Sequence, residues 1–355
     1  MPPRILLVPL CLASLAAAGA ADRLAPSGRP PAGLKVAEVP QFVLLGFDDN
    51  PKADPVNWVV DYLAAKRNPA GAGQAATFDG APVRMIFFSN GRYWNDRVTV
   101  AAHRRALAAG HEIANHTQKH GHGGSFTVEE WKKEMEACDE TFAAAGIPAA
   151  GLIGFRAPFL EYNAATFEAS VALGRRYDSS IEEGEAANQD GTNFLWTYTL
   201  DAGSPGAGDR IGRYPGLWEI ALHAFMIPDD VDCARYGAPP GLRARIGRNL
   251  KESYGDGSGE PVDRITGLDW NVFEAAKCTG PEFLAILKYT LDLRLAGNRA
   301  PFMVGGHTEL YPKDQPGRRQ AIEEFVAYAL SKPEVRLVTG GQLIDWLRAP
   351  VTLKE

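Results

Sequence analysis

Two adjacent carboxylates, Asp48 and Asp49, end the apolar run Phe42-Val43-Leu44-Leu45-Gly46-Phe47, and two histidines, His116 and His120, stand four residues apart in Asn115-His116-Thr117-Gln118-Lys119-His120. That spacing lets two imidazoles face one ion from a helix or a tight loop, although an isolated pair of this kind is most often a pair of surface histidines. The aspartate pair shifts the balance. Side by side the two carboxylates repel each other, and capping a loop amide would occupy only one of them. Neighbouring residues of a strand point to opposite faces, so one carboxylate can bind a metal while the other faces the attacking water. On this reading Asp49, His116 and His120 hold the ion and Asp48 is the general base. Two neutral nitrogens and one carboxylate leave positions open for water and substrate, which suits Zn²⁺ best, with Co²⁺, Ni²⁺ or Mn²⁺ as other candidates. The chemistry is metal-assisted hydrolysis, and a phosphoesterase would need a second metal with more carboxylates than these motifs supply.

Short apolar runs alternate with helical patterns and must position these groups. Strands are predicted at Phe42–Phe47, Val83–Phe88, Ile153–Phe155, Leu217–Leu222, Phe302–Val304 and Val335–Val338. Most are continuous rather than alternating, as parallel strands buried on both faces require. Thr127-Val128-Glu129-Glu130 is a capping-box pattern, and Trp131, Met135, Cys138 and Phe142 follow at helical spacing until Gly146 and Pro148. Further helices are predicted over about 281–295, 318–330 and 342–347. This alternation implies an α/β barrel or doubly wound sheet, in which ligand groups gather at the carboxyl ends of strands. Asp48, Asp49 and His307 all occupy such ends. Residues 180–275 are rich in Gly, Pro, Asp and Asn and read as a long irregular insertion.

The 355 residues are 45% hydrophobic and 23% charged, ordinary for a globular chain, and the net charge of −6 with no basic-aromatic stripe argues against nucleic acid. Arg4, the apolar run Ile5 to Ala20 and the closing Ala18-Gly19-Ala20 read as a secretory signal peptide over residues 1–20, too short for a stable membrane span. A secreted or periplasmic protein is expected, with 21–37 as a flexible lead-in. Export permits disulfides; Cys138 falls on the apolar helix stripe as a core thiol, whereas Cys233 and Cys278 sit in loop-like sequence and could pair. There is no G-x-S-x-G elbow and no dinucleotide loop. Trp94, Trp196, Trp218 and Trp270 could stack on sugar rings or fill core.

Gly46-Phe47-Asp48-Asp49-Asn50, Asn115-His116-Thr117-Gln118-Lys119-His120 and Arg156-Ala157-Pro158-Phe159 resemble the first three motifs of the polysaccharide deacetylases with a NodB-type domain, carbohydrate esterase family 4. Leu195-Trp196-Thr197-Tyr198-Thr199-Leu200-Asp201, Tyr214-Pro215-Gly216-Leu217-Trp218-Glu219 and Asn298-Arg299-Ala300-Pro301-Phe302 resemble the chitin deacetylase branch. The resemblance covers roughly 40–350 and implies a deformed (β/α) barrel, with a catalytic domain over 38–350. It implies metal-dependent removal of N-acetyl groups from N-acetylglucosamine units of chitin or chitooligosaccharides, with peptidoglycan or acetylxylan as the alternatives. A non-catalytic carbohydrate-binding protein on the same fold would have lost the base or a metal ligand, and neither is lost. By motif Asp48 is the base, Asp49, His116 and His120 hold the metal, Arg156 orients Asp48, and the Phe159 backbone N–H, where the family usually has Tyr, helps hold the oxyanion. His307 or His223 is the general acid; His307 is preferred because it follows the last apolar strand before the terminal helices. Its supporting carboxylate is Asp269, in Asp269-Trp270, or Asp201. Trp196, Trp218 and Trp270 are the candidate sugar-binding residues. His111 is expected to position a strand and His122 to flank the site. The sequon at Asn115 is expected to stay unglycosylated, because a glycan there would block the metal.

Overall fold

A computed structural model describes residues 22–255 and 259–354. The strand Gln41–Asp49 is buried along its whole length. Val43, Leu45 and Phe47 enter one apolar cluster while Phe42 and Leu44 enter another. Both faces of this strand are therefore covered, which is why its sequence is a continuous apolar run. The first cluster packs the sheet against the helices Ala53–Leu63, Arg97–Ala108, Gly280–Ala296 and Pro316–Leu330; the second holds Phe88, Tyr177, Trp218 and Met303.

Nine strands form the main sheet. Its order is Phe302–His307, Gln41–Asp49, Ile86–Ser89, Glu112–Asn115, Gly154–Phe155, Tyr177–Asp178, Trp218–Glu219 and Tyr198–Thr199, with Val335–Leu337 also pairing to Gln41–Asp49. Pairing is parallel except between the last two strands of that path. The sheet curls into a partial barrel with helices around it, the α/β architecture expected. The helix Val128–Ala144 carries the capping box, Thr127 N–H donating to Glu130 at 2.8 Å, and Trp131, Met135, Cys138 and Phe142 are its buried stripe.

Three expectations need correction. Residues 180–275 are not an irregular insertion: they supply two strands of the main sheet and the helices Asp230–Tyr236 and Leu242–Tyr254. Two-residue strands carry too little periodicity to register in sequence. Residues 22–37 do not behave as a free lead-in. Leu24 and Ser27 accept from Thr199 and Trp196 backbone N–H groups at 2.8 Å each, and Gly28 accepts from Asn298 at 2.8 Å, so backbone pairing outweighs the composition. Cys233 and Cys278 are unpaired and separately buried, Cys233 in a short helix and Cys278 before Gly280–Ala296. The proposed signal peptide lies outside the described residues. Among those described, no helix is long and apolar enough to cross a membrane.

Candidate metal centre and its flanking groups

Parallel register gathers the site. Asp48 pairs with His307 and Asp49 with Ser89, which in turn pairs with Asn115, the residue before His116. Asp48, Asp49, His116 and His307 therefore leave neighbouring strand ends on one rim of the sheet. Asp49 Oδ1 lies 3.2 Å from His120 Nε2 and 3.9 Å from His116 Nε2. One donor atom from each of the three side chains falls within 4.8 Å of the others, a group that could hold a metal ion.

The donors are preset for that use. His116 Nδ1 lies 2.8 Å from the Arg156 carbonyl, so its Nε2 is the nitrogen turned to Asp49. Burial, then the neighbouring His120, pushes His116 down to about 3 despite Asp49, and burial also lowers His120. Both imidazoles are neutral near pH 7, the form a metal requires. Asn90 donates to Asp49 Oδ1 at 2.6 Å and fixes the carboxylate. Two neutral nitrogens with one anchored carboxylate fit a zinc-type ion.

Among the described residues, left-handed backbone at side-chain-bearing positions is densest here. Asp49, Asn50, Thr117, His120, Phe159 and Leu160 all have φ between 55° and 65°. Left-handed backbone costs roughly 1–2 kcal/mol for a side-chain-bearing residue, least for Asp and Asn. Local bonds hold it: Asn50 Nδ2 donates to the carbonyls of Phe47 and Phe88, Asn115 Oδ1 accepts from Thr117 N–H, and Thr117 Oγ1 accepts from His120 N–H. Asn115 Nδ2 donates to Met135 O and Asp139, so the sequon amide is buried and engaged.

On one side of the triad Arg156 Nη1 donates to Asp48 Oδ1 at 2.6 Å, with both side chains buried. Gly46 makes this possible, since a Cβ there would lie 2.8 Å from Met303 Sδ, 3.0 Å from Phe88 and 3.4 Å from Arg156 Nη2. On the other side His307 Nδ1 lies 2.8 Å from Asp269 Oδ1, while Asp269 Oδ2 accepts from His307 N–H at 2.9 Å. Gly306 leaves room for that carboxylate, which a Cβ would approach to 3.1 Å. Burial works against charge on His307, but Asp269, then Asp48 and Asp49, outweigh it and raise the ring to about 9. His307 is thus cationic at neutral pH.

Of the two carboxylates considered for this support, Asp269 is in place; Asp201 faces Arg23 at 3.5 Å instead. His223 does not line the cleft. It is buried, stacked face to face on Phe194 at 5.0 Å. Trp196 and Trp218 are 1% and 2% exposed and belong to the core, so they are corrected from sugar-binding candidates to packing residues. Trp218 lies in a two-residue strand and Trp196 just before another, and the apolar cluster around both buries them without leaving a periodicity to read. Trp94 packs on Phe142. Trp270 is 46% exposed, edge-on to His307 at 6.0 Å, and Phe159 is 53% exposed; both line a cleft of about 620 Å³ with Asp48, Asp49, His116, His120 and His307. His122 stacks on Phe159 at 4.1 Å, flanking the site, and His111 Nδ1 accepts from Met85 N–H at 3.2 Å, tying one strand to the next. Asn90 and Glu309, which also line or support the site, went unread in the sequence. A lone Asn after a strand, or a Glu two residues past a His, has no distinguishing pattern.

Residues 35–177 match the family model described as polysaccharide deacetylase. The chain is similar to chitin deacetylase 8 of Bombyx mori, 24% identical over 336 residues that cover 91% of this chain and 74% of the relative. It is similar also to chitin deacetylase 1 of Bombyx mori, 25% identical, with 92% of this chain and about half (54%) of the relative covered. A solved structure from Mycobacterium smegmatis assigned to the polysaccharide deacetylases shares the fold, with a TM-score of 0.53 at 18% identity, covering 94% of this chain and 99% of that one. Residues 35–177 of this chain are thus similar to the polysaccharide deacetylase family, and the fold it shares extends over nearly the whole chain.

Proposed function

We propose that the protein is a metal-dependent N-deacetylase acting on N-acetylglucosamine units of chitin or chitooligosaccharides, released from the cell or held in the periplasm. The observation that carries this reading is the triad Asp49, His116, His120 flanked by an Arg-bound carboxylate on one side and an Asp-bound imidazole on the other. The triad would hold the ion, Zn²⁺ first, with Co²⁺, Ni²⁺ or Mn²⁺ able to replace it. When bound, such an ion supplies polarisation of the acetyl carbonyl and a lowered pKa for the attacking water.

The chain's own groups do the rest. Asp48, aimed by Arg156, removes a proton from the water that attacks the amide carbon. The Phe159 backbone N–H, presented by its left-handed turn, donates to the oxyanion. His307, cationic through Asp269, delivers a proton to the departing amine. The C–N bond breaks, leaving acetate and a glucosamine unit. Trp270 and Phe159, apolar and exposed on the cleft, offer flat faces to sugar rings. The cleft is continuous with a second of about 800 Å³, since Glu182, Thr266 and Asn271 line both, which favours a chain-like substrate.

Acetate release on chitin oligomers, peptidoglycan and acetylxylan, with chelation and metal add-back, tests the reading. Metal-restored release on chitin oligomers supports it. Preference for another polymer moves the substrate, and binding of chitin oligomers without release on any arm identifies a binding protein. Trp270→Ala is expected to raise KM on chitooligosaccharides about tenfold, the worth of one aromatic contact, with kcat nearly unchanged. Initial-rate kinetics check this, and an unchanged KM removes Trp270 from the sugar path.

A further inference from the structure

The buried tripeptide Asp178-Ser179-Ser180 touches neither the triad nor the cleft, yet it grips the two residues that follow the strand Gly154–Phe155. Phe155 pairs with Asp178, so Arg156 and Ala157 run alongside Ser179 and Ser180 as the two strands continue. Ser179 N–H donates to Phe155 O at 2.9 Å, the last backbone link. Beyond it the side chains take over. Arg156 Nε donates to Ser179 O at 2.9 Å and Nη2 to Ser179 Oγ at 3.0 Å. Ala157 N–H donates to Ser180 Oγ at 2.8 Å.

The Ser179 hydroxyl has one proton, and Ile220 O receives it at 2.7 Å. Its lone pairs therefore face Nη2, so Ser179 can only accept there. Bound along Nε and Nη2 by one residue, the guanidinium has a fixed roll about its long axis, with its plane over the Phe88 ring at 4.0 Å. Nη1 is left to Asp48, with the Gly46 carbonyl beside it at 3.4 Å. Ser179 supplies two of the four hydrogen bonds that fix this group, and no other side-chain hydroxyl reaches it among the described residues.

We propose that Ser179 is a positioning residue for the reaction: acting through the Arg156 guanidinium, it sets the orientation of the Asp48 carboxylate. This rests on the deacetylase reading above. A misaimed base lowers the chemical step without disturbing substrate affinity, because remote geometry errors are felt in the transition state.

The test is a double-mutant cycle on the metal-loaded full chain, reading kcat and KM for acetate release from chitooligosaccharide, with metal content measured in each variant. Ser179→Ala is expected to lower kcat about tenfold with KM and metal content held. Arg156→Lys lacks Nε and Nη2, so Ser179 has nothing to act through; in that background Ser179→Ala is expected to change kcat less than twofold. Equal losses in the two backgrounds, or no loss beside Arg156, overturn the proposal, since a merely structural serine would give additive effects. If Ser179→Ala does not fold, Ser179→Cys, which keeps the size and weakens the acceptor, is read by the same comparison. A wild-type protein that releases no acetate under metal add-back refutes the functional reading itself, a result distinct from an active wild type with an additive cycle.

Discussion

Asp48→Asn is expected to lower kcat for deacetylation by about a thousandfold or more, the scale of a lost general base, while leaving the metal bound. Asn90 holds the Asp49 carboxylate, the Arg156 carbonyl holds the His116 ring, and His120 faces Asp49, none of them through a contact to Asp48. Metal content by elemental analysis should thus match wild type. A second readout distinguishes a chemical from a structural effect. Arg156 is fully buried, and removing the one carboxylate it faces leaves its charge uncompensated, a cost on the order of 3 kcal/mol. The variant should melt lower than wild type yet retain its metal. Turnover near wild type would remove Asp48 from the role of base; turnover lost together with the metal would mean that it acts on the ligands.

Asp269→Asn is expected to reduce kcat by about a hundredfold at neutral pH and to move the alkaline limb of the pH–rate profile downward. The ring of His307 is raised from 6.5 to about 9, against burial, with Asp269 the leading source of the increase. An amide still fills the space and its one oxygen can accept from Nδ1, but its NH2 cannot accept from the His307 backbone N–H, and the charge is withdrawn. His307 would then lose its proton nearer neutrality, and less of the enzyme would carry an acid for the departing amine. Stability should follow the same linkage. A group whose folded pKa lies above its unfolded value contributes stabilisation that is complete below the unfolded pKa and is lost as pH rises through the folded one. For His307 the window runs from about 6.5 up to about 9, and the whole shift corresponds to about 3 kcal/mol. The melting-temperature gap between wild type and Asp269→Asn should be widest below pH 6.5 and narrow above pH 9 to the constant remainder left by the lost backbone N–H bond. A gap independent of pH would assign Asp269 to packing rather than charge.

Much of the site was legible because its residues combine rare types with strand-end positions. Asp48-Asp49 after an apolar run and the histidine pair identify themselves by chemistry, and the structure brings all four together. The long strands and the capped helix at Val128–Ala144 were equally plain, since nine buried positions or a four-three-four stripe leave a period to read. The misreadings share one cause. Strands of two residues, such as Tyr198–Thr199 and Trp218–Glu219, take their identity from their neighbours in the sheet rather than from their own pattern. Trp196 and Trp218 looked like sugar platforms for the same reason: aromatic character is local, whereas burial is decided by what packs opposite. Cys233 and Cys278 show the converse, with loop-like sequence folded into separate buried places. Residues 22–37 are held by backbone bonds, to which composition is blind.

Asp48 and His307 stand opposite each other in adjacent parallel strands. Their separation is therefore inherited from the strand spacing of a sheet, roughly 4.8 Å between backbones, and not from any loop. The residues proposed to meet the sugar, Trp270 and Phe159 among them, lie outside that pairing. Descendants of such a chain can rewrite the connections that choose a polymer while the proton donor and acceptor keep their interval. Substrate range and catalytic competence can then drift on separate clocks.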